Sequence, residues 1–165
     1  MTVLEAFTTE FENECKTTRK MLALVPADKN DWTPHEKSMK LGNLANHVAE
    51  LPDWIVMSLV TDELDFATSP YTPNMFATNE NLMAFAEKSM IEASKVLANS
   101  QSIDLSKTWT LRHGELVISQ GSKWEMMRMS LSQIIHHRAQ LGVYLRLLNV
   151  ALPGSYGPSA DDTGM

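Results

Sequence analysis

In the stretch Gln133-Ile134-Ile135-His136-His137-Arg138-Ala139-Gln140-Leu141, Gln133 and His137 stand four residues apart. On a helix that spacing stacks both side chains on one face, and each can hydrogen-bond or ligate a metal. A third such group, His47, lies in the helical pattern set by Leu41, Leu44, Val48, Leu51 and Ile55. At 100° per residue, His137 falls inside the apolar arc of its helix, between Ile134 and Leu141, while His136 is rotated about 100° away and is expected to point outward or to a neighbouring helix end. His47 falls about 60° from the centre of its own seam, with Asn43, Glu50 and Trp54 on the same flank. An imidazole in an apolar seam costs free energy unless its nitrogens are satisfied. A hydrogen bond to a facing carboxylate or carbonyl satisfies them, and so does a divalent metal, whose commonest side-chain ligand is neutral imidazole. His47, Gln133 and His137 have the layout of a metal site inside a helix bundle, with the amide oxygen of Gln133 the weakest donor for a transition metal. Hydrogen-bonded core histidines satisfy the same pattern.

The other reactive side chains are read against structural roles. Arg138 is the polar member of an otherwise apolar register. It requires an anionic partner, with Glu14, Glu50 and Glu87 as candidates, or it holds an anionic ligand. Cys15 is the single cysteine, which excludes an internal disulfide and fits a reducing compartment; it reads as a small core or boundary residue. His35 follows Pro34 in a polar stretch and reads as solvated, and His113 as a turn residue before Gly114. No residue is singled out as catalytic.

Four amphipathic segments must position these groups. Leu4, Phe7, Phe11, Thr18, Leu22 and Val25 recur at helical spacing, with Thr2 as N-cap and Pro26 as stop, so the first helix is expected over 3–25. The second is expected over 40–60, with Pro52 producing a kink or π-bulge. The third runs from a cap at Thr78 or Asn79 to about Ala98. The fourth spans 122–149 with the seam Trp124, Met127, Leu131, Ile134, Leu141, Leu145 and Leu148, and Pro153-Gly154 ends it. Between them, 26–40 is a connection in which Trp32 plugs one end of the core, 61–78 is a long loop, and the β-branched run 108–119 suggests a small hairpin or extended lid. The expected architecture is an all-α four-helix bundle with long crossover loops, one domain over residues 1–165, and an irregular tail over 150–165. Trp54, Tyr144 and the 108–119 segment are the candidate walls of a cleft for a small molecule.

Composition sets outer bounds. A chain of 165 residues suffices for a core without disulfide staples. The net charge of −6 argues against a nucleic-acid surface. No segment has the length and apolarity of a membrane span, and the acidic N-terminus lacks a signal pattern, so a cytoplasmic location is expected. A bundle face also accommodates a homodimer by two-fold symmetry.

Leu44-Ala45-Asn46-His47-Val48-Ala49-Glu50-Leu51 and His136-His137-Arg138-Ala139-Gln140-Leu141, with Tyr144-Leu145-Arg146, resemble the two histidine motifs of the DinB/YfiT-like bacterial proteins. Asp31-Trp32-Thr33-Pro34-His35 and the Pro153–Asp161 tail resemble one branch of that family, so the likeness spans nearly the whole chain. The resemblance implies a four-helix bundle in which a divalent metal, commonly zinc or nickel, is held by three histidines, one from the second helix and two from the fourth. By position these are His47 and His137, while the remaining ligand position is Gln133 here; the family's glycine in the second motif is Ala139. Related members are thiol-dependent transferases or isomerases, which implies a low-molecular-weight thiol as co-substrate and a small electrophile as acceptor. The alternative the resemblance leaves is a non-catalytic, stress-related bundle with a weak or lost metal site.

Overall fold

The computed structural model describes residues 1–163. Four helices carry the chain: α1 over Val3–Leu22, α2 over Leu41–Val60, α3 over Asn79–Ala98 and α4 over Lys123–Leu147. Three of them start on side-chain caps that satisfy orphan N–H groups of the first turn. Thr2 with Glu5 and Ser122 with Glu125 form reciprocal capping boxes, and the Thr78 hydroxyl accepts from the Asn81 N–H at 3.2 Å. α1 stops short of Val25 because its last carbonyls find other donors. Leu24 and Val25 N–H close tight turns onto Met21 and Leu22, and Asn79 Nδ2 donates to the carbonyls of Leu22 and Val25 at 2.9 and 3.0 Å. α2 runs through buried Pro52 as continuous α-helix, without the expected π-bulge.

The predicted seams form the core. Phe7, Phe11 and Leu22 of α1, Leu44, Val48 and Ile55 of α2, Met90 and Leu97 of α3, and Met127, Leu131, Ile134 and Leu141 of α4 are all essentially sealed from solvent. α2 packs along both α3 and α4, and α1 along the same two helices, whereas α1 and α2 meet only marginally. Helices consecutive in sequence, α1 with α2 and α3 with α4, therefore lie diagonally opposite. This is why the chain needs long crossover connections rather than tight turns.

The all-α expectation is corrected by a small sheet. Strands β1 (Glu63–Asp65), β2 (Thr108–His113) and β3 (Leu116–Ser122) lie in the order β1-β2-β3. β2 and β3 are the antiparallel hairpin expected near 108–119, with a register shift between Leu111 and Arg112. Gly114, at φ +57°, takes the first central position of the two-residue loop, where a II′ hairpin turn calls for glycine. β1 was expected to be loop; it pairs parallel to β2, Leu64 opposite Leu111. Trp109 of β2 is buried, and its indole N–H donates to Thr61 Oγ1 at 3.0 Å, so the hairpin is anchored to the end of α2. Residues 150–163 of the tail contain no regular element, and 164–165 lie outside the described residues. Among the described residues no helix is long and apolar enough to cross a membrane.

Two buried cations tie the helices together. Lys123, at the start of α4, donates to the carbonyls of Ser58 (3.1 Å), Leu59 (3.4 Å) and Thr61 and pairs with the Asp62 carboxylate at 3.1 Å. It thereby satisfies the orphan carbonyls at the end of α2. Arg138 meets Glu14 at 2.6 Å, one of its three candidate partners, and also donates to the Glu14 carbonyl and Thr18 Oγ1, each at 3.1 Å. Tyr156 from the tail completes the cluster, accepting from Arg138 at 2.9 Å and donating to Glu14 at 2.8 Å. Glu87 instead pairs with Arg19. Arg138 is thus a structural ion-pair residue.

Removing one partner of this pair leaves a buried charge uncompensated. Arg138→Leu is expected to lower the unfolding free energy by ~3–5 kcal/mol in urea denaturation. Glu14→Leu combined with Arg138→Leu loses less than the sum of the two single changes, because no orphan charge remains. A strictly additive double variant would show that the two side chains do not act as a pair.

Candidate functional site

The facing surfaces of α2 and α4 bring His47 and His137 together. Their ring centres are 4.7 Å apart with the planes inclined at 72°. Both side chains are half-buried, not sealed in the core; the fully inward neighbour on α4 is Arg138. His136 points outward and is exposed, as expected, with its ring 4.9 Å from that of His137.

Each of the two facing histidines has its Nδ1 engaged by a residue three positions on. His47 Nδ1 lies 2.8 Å from Glu50 Oε1, and His137 Nδ1 lies 2.8 Å from Gln140 Oε1. Both partners are acceptor oxygens, so Nδ1 carries a proton in each ring, and the neutral tautomer this selects has its lone pair on Nε2. No partner for either Nε2 is present among the described residues. Burial, together with the neighbouring His47 and His136, pushes the His137 pKa below its ordinary value, partly countered by the bond to Gln140. The ring is thereby held neutral near neutral pH, the form that can ligate.

Glu50 organises this side of the site. Buried at 8% exposure, its carboxylate accepts from His47, from Asn46 Nδ2 at 3.1 Å and from the Tyr71 hydroxyl at 2.6 Å. Tyr71 belongs to the α2–α3 connection, so that loop is tied to the histidine through one carboxylate. Asn46 Oδ1 is buried and has no hydrogen-bond partner.

Gln133 lies one turn before His137 and shares with His47 a cavity of about 200 Å³. Leu51 and Trp54 of α2, Leu111 of β2 and Met129 and Ser130 of α4 complete its lining. The Gln133 amide makes no hydrogen bond among the described residues. Trp54 and the 108–119 segment are therefore walls, as expected, but Tyr144 is not: its ring packs edge-on against Trp32, 5.6 Å between centres. No group of three or more His, Cys, Asp or Glu side chains suited to one metal ion occurs among the described residues; the third potential donor beside the two imidazoles is an amide.

Sequence reasoning placed Glu50 on the flank of His47 but named it only as a candidate partner of Arg138, and it missed Gln140 and Tyr71. Glu50 and Gln140 both carried a signal, since each stands three residues after its histidine and so on the same helical face. Tyr71 carried none, because only the folded loop delivers it to Glu50.

The DinB family model matches residues 1–163. The chain belongs to the DinB family. Solved structures similar in fold include a DinB-like protein from Bacillus subtilis (TM-score 0.68, 15% identity, covering 91% of this chain and 96% of that one). A DinB-family member from Exiguobacterium sibiricum is also similar (TM-score 0.65, 20% identity, 90% and 94% covered). More distant is the mycothiol-dependent maleylpyruvate isomerase (TM-score 0.56, 15% identity), of which 61% is covered against 86% of this chain. At these identities the likeness is one of fold. No curated protein matches the chain.

Cys15 lies apart from this site, buried in the core of the DinB bundle, and burial pushes its thiol pKa up to about 12. The reactive species of a cysteine is the thiolate. Cys15 is therefore expected to resist DTNB or iodoacetamide at pH 8 in the native protein and to react at the rate of a free thiol only in denaturant. Stoichiometric labelling of the native state within minutes would contradict this burial.

Proposed function

We propose that this protein holds one divalent ion, zinc or nickel, between α2 and α4 through His47 Nε2, His137 Nε2 and the Gln133 amide oxygen, and that the site serves thiol-dependent transfer to a small electrophile. The observation that carries the reading is the pair of facing imidazoles with both Nδ1 atoms tied and both Nε2 lone pairs unclaimed. A ligating histidine characteristically gives its other ring N–H to a carboxylate or carbonyl, which fixes tautomer and orientation. Glu50 and Gln140 do this here. Two imidazoles sharing an ion with Zn–N bonds of about 2.1 Å have ring centres roughly 4.5–5.3 Å apart, so the observed 4.7 Å fits a shared ion. The unpartnered Gln133 amide supplies the third donor, weaker than imidazole because it is neutral oxygen.

Three protein donors leave open positions, as a catalytic site requires. A divalent ion there would lower the pKa of a bound thiol and present it as a thiolate at neutral pH. The chain does not offer its own thiol, because Cys15 is sealed in the core; the sulfur must come from a small molecule. The name of the mycothiol-dependent neighbour points the same way. Trp54, Leu51 and Leu111 give the space beside His47 apolar walls, and Glu50, held by Asn46 and Tyr71, keeps the His47 ring in place.

The test is elemental analysis of protein purified without an affinity tag. About one zinc or nickel per chain is expected in the wild type and none in His137→Ala. Glu50→Gln is expected to weaken the ion about 10- to 100-fold by disturbing the ring it orients, and Gln133→His to tighten it by replacing an amide oxygen with an imidazole. Wild-type protein that contains no ion, and whose Tm does not rise with added zinc or nickel, would make Gln133 the mark of a retired site.

A further inference from the structure

The cavity shared by Gln133 and His47 also specifies what enters it, an inference that deepens the proposed function by naming the class of its substrate. At about 200 Å³ it is smaller than pockets for drug-sized ligands, which start near about 300 Å³, and it holds on the order of ten non-hydrogen atoms. Its walls are the side chains of Leu51, Trp54, Leu111 and Met129. Trp54 offers an aromatic surface on which a planar group can pack by stacking or edge contact.

No lysine or arginine lines the cavity, and the cations of the adjoining elements are committed elsewhere. Lys123 is held by the end of α2 and Asp62, Arg128 by Glu10, Arg138 by Glu14, and Arg112 by Glu63 and Asp65. No aspartate or glutamate lines the cavity either; Glu50 pairs with the Nδ1 of His47. Away from an ion on His47 and Gln133, a carboxylate on the body of the ligand would lose its hydration with no lysine or arginine to meet it, which is costly in an apolar space. Gln133 places one uncommitted amide against the same space. An amide sealed over by a purely apolar ligand loses its water without replacement, whereas a carbonyl or amide on the ligand restores the bond. With the Gln133 oxygen on an ion, its NH₂ group still donates to such a carbonyl.

We propose that this cavity takes a small, uncharged, planar molecule bearing a carbonyl or amide group and, with no ion bound, rejects a carboxylate of the same shape. Benzamide and benzoate are matched probes, alike in size and differing in charge. The titration uses uniformly ¹⁵N-labelled protein in EDTA, read by NMR at the Gln133 side-chain NH₂ and the Trp54 indole N–H. Benzamide is expected to give saturable shifts at both, and benzoate to bind at least about tenfold more weakly. Leu111→Trp fills the cavity from the hairpin and is expected to abolish benzamide binding; Met129→Trp does so from an exposed helical position should the hairpin variant not fold. Gln133→Leu is expected to weaken benzamide about tenfold. Benzoate binding as tightly as benzamide, no saturable benzamide binding, or shifts that persist in the filled variant would overturn the assignment. Because the ion is chelated throughout, its absence from the purified protein leaves this result standing, and failure here leaves the ion content unaffected.

Discussion

The ammonium of Lys123 sits almost without solvent among the last carbonyls of α2 and the Asp62 carboxylate. A buried cation cannot be left unpaired without a large desolvation penalty, so its position fixes the end of α2 against the start of α4. These are the two helices that supply every side chain of the candidate metal set. From that joint, α2 and α4 run alongside each other with their apolar seams in contact, and His47 comes to face His137 while Gln133 comes to line the same cavity. The Arg138–Glu14–Tyr156 cluster does the corresponding work one residue from His137, locking α4 to α1 and folding the tail over both. The two histidines are therefore held by helices whose spacing is set by buried charge as well as by apolar contact.

The division between inward charge and half-buried histidine follows from what each group needs. A guanidinium has no neutral form available in a protein and must carry its partner into the core, as Arg138 does with Glu14. An imidazole can be buried neutral at lower cost and needs only one acceptor for its N–H. His47 and His137 each take that acceptor from their own helix, three residues on, so neither has to reach across the bundle for stability. Neither Nε2 has a partner among the described residues.

Much of this was legible in the sequence, and the remainder was hidden for identifiable reasons. The helix seams are set by a period of 3.6, which a single chain displays without its neighbours, and Leu131, Ile134 and Leu141 are buried as their spacing requires. The hairpin was visible from its β-branched residues and Gly114. Strand β1 was not: Glu-Leu-Asp is too short to show a period, and it exists because β2 offers an edge to pair with. Tyr144, a candidate wall, instead packs edge-on against Trp32, far away in sequence, a contact that no local pattern encodes. The diagonal order of the helices likewise depends on which seams fit together, which no local pattern encodes.

The α2–α3 connection then acquires a role that its loop-like composition conceals. Through Tyr71 it reaches Glu50, and through Glu50 the ring of His47. Through β1 it pairs with β2, whose Leu111 closes the cavity beside that ring. One segment therefore governs both the orientation of a candidate ligand and a wall of the space next to it. A shift of the connection that withdrew Tyr71 would leave Glu50 with one donor fewer and would pull on the strand next to Leu111 at the same time. The orientation of the histidine and the shape of the cavity are coupled through covalent chain and hydrogen bonds, not merely adjacent.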